Sequence, residues 1–317
     1  MTATATSTTS TGRPAGSPAA PLVAVGVTLL LWASAFVAIR HLVEDFSPGA
    51  LSLGRLLVGS AVLAAVAFRP GAPRLVRPTR GEWVRLVAIG LLWFGFYNVA
   101  LNAGERMVDA GTAAMLIQVS PVVVAVLAAL FLGERFTAWL AVGLAVAFAG
   151  VALIAMAADD QHRADPVGVL LVVAAAVAYA VAAILQKPLM RRLSVIQVVL
   201  TACTVGAIAC LPWAWELVDQ VAAAPAVDVA WVAYLGVFPT AIAFTTYGYA
   251  LTHMSASSLA VTTYLVPPIT IALGWLLLAE TPAPLAYVGG VLALVGVGVA
   301  RRGARAGARR ARSAGVA

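Results

Sequence analysis

Residues 120–150, SPVVVAVLAALFLGERFTAWLAVGLAVAFAG, form two apolar runs around a single Glu134-Arg135 pair. Residues 266–296, VPPITIALGWLLLAETPAPLAYVGGVLALVG, repeat that pattern without a gap. Pro121 falls opposite Pro267, Glu134 opposite Glu280, Gly143 opposite Gly289 and Gly150 opposite Gly296. The likeness continues outward. Tyr97–Leu101, YNVAL, matches Tyr247–Leu251, YGYAL; Trp32–Phe36 stands opposite Tyr179–Ala183, and Arg40 opposite Lys187. The chain is internally duplicated.

Composition says what surrounds the two copies. Of 317 residues, 62% are hydrophobic and 10% charged, and the mean hydropathy is +0.97. A soluble domain carries roughly 25% charged residues. This chain cannot cover itself with polar groups, so its solvent is mostly lipid. Apolar runs of spanning length fall at Leu22–Ile39, Pro48–Phe68, Trp83–Leu101, Val108–Leu132 and Ala138–Met156. Five more fall at Pro166–Leu185, Val195–Trp213, Val229–Leu251, Ala256–Leu278 and Leu285–Ala300. The runs are continuous rather than alternating, which predicts helices and not a barrel. The expected fold is all-α: a polytopic membrane protein of ten transmembrane helices, built as two inverted five-helix repeats. Five spans is an odd number, so the second repeat enters the membrane upside down. Substrate sites in such repeats lie at their interface, near mid-bilayer.

Charge predicts the orientation. With ten spans both termini share one side. That side collects sixteen Lys and Arg residues, against Arg40, Arg106 and Arg163 on the other. The positive-inside rule makes it cytoplasmic. The net charge of +7 is then a topology signal, and nucleic acid is not an expected partner. The stretch RRGARAGARRAR at 301–312 suits anionic headgroups. The expected organisation is a disordered tail at 1–20, a first repeat at 21–157, an outer linker at 158–165, a second repeat at 166–300 and a basic cytoplasmic tail at 301–317. The expected location is the cell (inner) membrane, multi-pass. Leu22–Phe36 could mimic a signal peptide, with Ala33-Ser34-Ala35 as a cleavage site; it is read as a retained span because the repeat needs it.

Several pieces together carry a resemblance: LLWASAF at 30–36, Arg55, LGERFT at 132–137, YLGVFPTAIAFTTYGYAL at 234–251, LVPP at 265–268 and LLLAETP at 276–282. In this order they resemble the drug/metabolite transporter superfamily, with two EamA-type domains over about residues 22–300. The resemblance implies a central cavity lined mainly by spans one, three, four, six, eight and nine. It also implies transport of small metabolites or drugs, often as export. Ala279 stands where a glycine is expected before Glu280, which concerns a helix end and not the cavity.

Arg55 is the one ionisable residue well inside a span, roughly 10 Å from its boundary. Facing lipid it would cost about 2.5–3.5 kcal/mol. It therefore faces protein or water, either attracting an anionic substrate group or tying span two to a neighbour. Its repeat counterpart is near Ala202, so it breaks the symmetry. Candidate substrate-binding residues are Trp32 and Phe36 on span one, Trp93, Tyr97 and Asn98 on span three, and Gln118 on span four. Tyr179, Thr240, Tyr247, Thr263 and Tyr264 join them from the second half, with Arg55. Aromatic walls with a few polar groups suit organic solutes, and packing or the interfacial belt is the competing reading of each aromatic. Asn98 and Gln118 either line a polar cavity or bond helices together. Pro121 and Pro267 each remove a backbone donor, giving a hinge or a static kink.

No span carries a central Asp or Glu, the usual proton relay. No phosphate-binding loop occurs, and no zinc or haem spacing. Cys203 and Cys210 lie too far apart along one helix to bridge within it. No cofactor or metal is expected. The function expected is alternating-access transport of small organic metabolites or drugs, in the direction of efflux. The expected partners are a small-molecule substrate and the lipid bilayer; a homodimer is left open. The alternatives are a lipid flippase, which needs a groove open sideways, and a membrane enzyme, which needs convergent acids, His or Cys.

Overall fold

A backbone in lipid must be satisfied within a helix or around a closed barrel, and continuous apolar runs take the first route. The computed structural model describes residues 19–42, 45–107, 116–157, 165–278 and 284–314, and among these there is helix and no strand. The helices are α1 (Ala20–Leu42), α2 (Pro48–Ala67), α3 (Arg80–Gly104), α4 (Ser120–Leu132) and α5 (Ala138–Ala157). The second half gives α6 (Pro166–Leu189), α7 (Val195–Ala209), α8 (Ala226–His253), α9 (Ala256–Leu278, with a tightened turn at Thr263–Leu265) and α10 (Pro284–Ala314). Polar residues at the membrane edges start them. Ser47 caps α2 ahead of Pro48, Thr79 and Glu82 form a reciprocal capping box on α3, and Asp165, Ser194 and Ser255 cap α6, α7 and α9.

Among the described residues, six helical stretches are long and apolar enough to cross a membrane: Ala20–Ile39, Pro48–Ala67, Arg80–Gly104, Pro166–Leu189, Ala226–His253 and Ala256–Leu273. A seventh arises if α7 and its extension Leu211–Ala223, bent by 54° around Cys210, count as one span. Ser120–Leu132, Ala138–Leu153 and Tyr287–Ala300 are apolar but shorter. The first part of the expected fourth span, residues 108–115, lies outside the described residues, as does Glu280. The protein is thus an all-helical, multi-pass membrane protein. The last helix does not stop at Ala300 as expected, but carries the arginines to Ala314.

The two halves interleave. α1 packs on α8 and α9, α2 on α7 and α8, α3 on α6 and α7, and α4 on α6 and α9. α5 and α10 pair most closely of all, on the glycines that the sequence aligned. A Cβ on Gly150 would lie 2.6 Å from the Gly289 carbonyl oxygen, and one on Gly296 only 2.3 Å from the Ala147 nitrogen. The backbones touch, as the glycine spacing predicts.

Gly133 ends α4 with φ +66°, the left-handed cap that glycine adopts without strain. The turn carries Glu134 to the start of α9. Its carboxylate accepts from the Ala256 N–H at 2.7 Å, the Ser257 N–H at 3.0 Å and the Ser257 hydroxyl at 2.6 Å. Lys187, at the end of α6, lies 3.4 Å away and donates to the Met254 carbonyl at 2.5 Å. One acid from the first half thus clamps two helices of the second.

Burial works to raise the Glu134 carboxyl. The bonds from Ser257 and Ala256 and the Lys187 charge outweigh it and hold the group below its ordinary value of 4.5. A depressed carboxyl stabilises the fold above its unfolded value and loses that effect as pH falls through its folded one. Glu134→Ala should therefore cost about 1–2 kcal/mol near neutrality. The gap in thermal stability between the variant and the parent in detergent should close below about pH 4.5, the ordinary value. In the glycine seam, Gly296→Leu should push α5 from α10 and cost several kcal/mol by overpacking, on the order of 3. Gly298→Leu, with open space around it, serves as the control in the same melting assay.

Candidate functional site

The two central helices, α3 and α8, each break their regular hydrogen bonding at membrane depth. Gly90–Tyr97 and Gly236–Ile242 are π-helical turns, and Pro239 removes a donor in the second. Such turns leave carbonyls short of partners, and side chains supply them. Asn98 donates through Nδ2 to the Trp93 and Phe94 carbonyls at 3.2 and 2.8 Å. The Thr240 hydroxyl donates to the Leu235 carbonyl at 2.8 Å. Pro121 and Pro267 both sit in the first turn of a new helical segment, just after a tightened turn. There the missing N–H is one that a helix start leaves unpaired in any case.

A cavity with an empty volume of about 770 Å³, counted with its open mouth, lies among these breaks. Its lining includes Trp32, Phe36, Arg55, Trp93, Tyr97, Asn98, Gln118, Tyr179 and Thr263, which the sequence had singled out. Thr240 and Tyr247 stand directly behind it. Thr240 accepts from Arg55 Nε at 3.1 Å, and the Tyr247 hydroxyl lies 3.2 Å from that of Tyr179. Tyr264 is elsewhere, buried against α5 and α10 with Leu144, Ala147 and Val297. Arg55 adds α2 to the helices that the resemblance implied as the main lining: it is 6% exposed and reaches the cavity. Sequence reading missed Asn102 and Phe244 among the lining. Asn102 carried a signal, because it lies one turn from Asn98 and hence on the same face.

Trp93 is the centre of an aromatic cluster. Its ring lies 4.8 Å from Tyr179, 5.0 Å from Phe244, 5.4 Å from Tyr247 and 6.4 Å from Trp32, with interplanar angles of 66–85°. Edge-to-face pairs of this kind add to the burial of the rings. The cavity also reaches Ile39, Leu101, Asn102 and Ile117, near one end of the bundle. Towards the other end Val124, Ala128, Ala183, Leu251, Leu259 and Ala260 are buried and packed together. That packed end is the one clamped by Glu134.

The sequence matches the EamA-like transporter family over residues 20–156 and again over 166–302. The chain belongs to the EamA-like transporter family. It is 40% identical over 275 residues, 86% of this chain and 91% of the relative, to a probable terminal-alkyne amino-acid exporter of Streptantibioticus cattleyicolor. It is 32% identical to the uncharacterized transporter YdfC of Bacillus subtilis, covering 84% of this chain and 86% of that one. A solved crystal structure shares the fold, with a TM-score of 0.74, 21% identity, and coverage of 91% of this chain and 99% of that one. This EamA-like chain is a membrane transporter and not an enzyme. Among the described residues no group of His, Cys, Asp and Glu is placed to hold a metal ion.

Thr240 joins the helix break to the cavity cation, since one hydroxyl serves both the Leu235 carbonyl and Arg55. Thr240→Val keeps the shape and deletes both bonds, so it should cost about 1–3 kcal/mol of thermal stability, while Thr240→Ser should restore most of it. A Val variant as stable as the Ser variant, or more so, would show that the hydroxyl contributes no more than the methyl group.

Proposed function

We propose that this EamA-like protein exports a small organic solute across the cell membrane by alternating access between two inverted five-helix repeats. One observation carries the reading. The cavity is lined by helices of both halves, lies towards one end of the bundle, and is backed at the other end by packed side chains under the Glu134 clamp. In the proposed topology the six spans of full length, the bent α7 and the three shorter apolar helices make ten crossings. Both termini and the clamp then lie in the cytoplasm, and the excess of Lys and Arg on that side supports the orientation. The cavity faces outward, and Pro121 and Pro267 are the hinges about which the halves exchange shape. The name of the Streptantibioticus relative makes an amino acid the first solute to test.

The reading predicts that accessibility of the two ends changes in opposite directions. Single cysteines at Ile39, beside the mouth, and at Leu259, under the clamp, report on this by labelling with an impermeant maleimide in oriented vesicles. Glu134→Ala should raise labelling of Leu259→Cys from the cytoplasmic face and lower labelling of Ile39→Cys from outside. Labelling that rises at both positions, or changes at neither, would overturn alternating access.

A further inference from the structure

The three amides of the cavity all present the same end to it. Asn98 and Gln118 donate through their amino groups to backbone carbonyls, Asn98 to Trp93 and Phe94, and Gln118 to Thr263 at 3.3 Å. A carbonyl only accepts, so these amide orientations are fixed. Asn102 Nδ2 donates to the Ser52 hydroxyl at 3.3 Å, and that hydroxyl spends its own proton on the Pro48 carbonyl at 2.7 Å. Asn102 therefore also turns its amino group away. Three amide oxygens are left over, on side chains more than nine-tenths buried that line the cavity, and no described residue bonds them. The oxygens themselves are not sealed off, so each is open to a donor that enters the cavity.

Arg55 is the complement. It is equally buried, and its only hydrogen bond among the described residues runs from Nε to Thr240. Its two terminal amino groups make no ion pair there. A guanidinium offers five donors in a planar fork that matches a carboxylate. The Glu105 carboxylate attracts it through space without forming an ion pair, so the buried cation still lacks a bonded counter-charge, and the cavity is where one can arrive.

From this we infer that the cavity is a zwitterion site: Arg55 receives a carboxylate, the oxygens of Asn98, Asn102 and Gln118 receive an ammonium, and an apolar side chain lies against Trp93 and Tyr179. The ligand class is a free amino acid with an uncharged side chain. The assignment rests on the cavity being the transport site, and adds which groups of the solute are read. Asn98 and Asn102 are one turn apart on α3 and share a face, so the proposal joins their oxygens in one acceptor patch, which Gln118 extends from the turn before α4. An ammonium, with three donors, suits such a patch, while an N-acyl group has one donor and added bulk.

The test uses the full-length protein in nanodiscs and three probes, L-leucine, L-methionine and L-propargylglycine. Each is compared with its N-acetyl derivative and its methyl ester by equilibrium binding. At least one free amino acid should bind, and both derivatives should bind about tenfold more weakly or worse, the usual loss for a charge-assisted bond. Arg55→Met should erase the preference for acid over ester, and Asn102→Leu the preference for amine over N-acetyl. An ester or N-acetyl derivative within about threefold of its parent on the unaltered chain would overturn the corresponding half of the site. If none of the probes binds while the paired cysteine labelling still switches, the zwitterion assignment falls and alternating access stands. If the labelling fails as well, both fall.

Discussion

The constraint on which the rest depends is that backbone carbonyls freed inside a bilayer must find a donor within the protein. In most of this chain the α-helix supplies it. In α3 and α8 the helix loosens, and Asn98 and Thr240 take over. Both are short side chains that reach back to the carbonyls of their own helix. Irregular backbone at membrane depth is tolerated where it is buried in protein or lines a polar space. The breaks and the cavity therefore occur together. The same residues that repair the helices also place polar groups at the cavity wall.

This coupling gives Arg55 the structural role that its position in the sequence left as one of two readings, and the proposed site would give it the other as well. Its Nε holds Thr240 and so ties α2 to the broken turn of α8. That bond uses one of the five guanidinium donors and leaves the two terminal amino groups for other partners. The aromatic cluster does similar work from the other side. Trp93 meets four rings drawn from α1, α6 and α8, so rotating it would disturb both repeats together. A wall so braced is preorganised, which lowers the entropic cost of binding a solute.

Much of this was legible in the sequence because lipid leaves so few options. A charge at Arg55 and amides at Asn98 and Gln118 could not face lipid, and the structure brings all three to one cavity. The glycines at 143, 150, 289 and 296 could be read as a close seam because small residues serve little other purpose at that spacing. The aromatics were harder. Tyr97 and Tyr247 occupy matching places in the repeat, yet Tyr97 lines the cavity and Tyr247 stands behind it. Tyr264 packs against α5 and α10 instead. Ring type and spacing fix a face of a helix, but not which neighbour that face meets. The clamp was hidden for a different reason. Glu134 was visible as an acid at a helix end, but two of its three bonds to Ala256 and Ser257 come from backbone N–H groups, which every sequence contains.

The repeat also explains why recognition cannot itself be symmetric. In the proposed mechanism the halves, matched in their duplicated glycines and prolines, exchange shapes, and such a scaffold has no preference for which way round a solute lies. The preference has to come from residues that the duplication does not preserve. Arg55 stands opposite the neighbourhood of Ala202, and Asn98 opposite Gly248. Both departures fall in the cavity wall, while Gly143, Gly150, Gly289 and Gly296 keep their match in the α5–α10 seam. Symmetry is thus retained where the bundle must hold together and lost where a molecule with two unlike ends would be gripped. A cation in one half and a patch of acceptors beside it give the cavity a direction that the fold alone does not have.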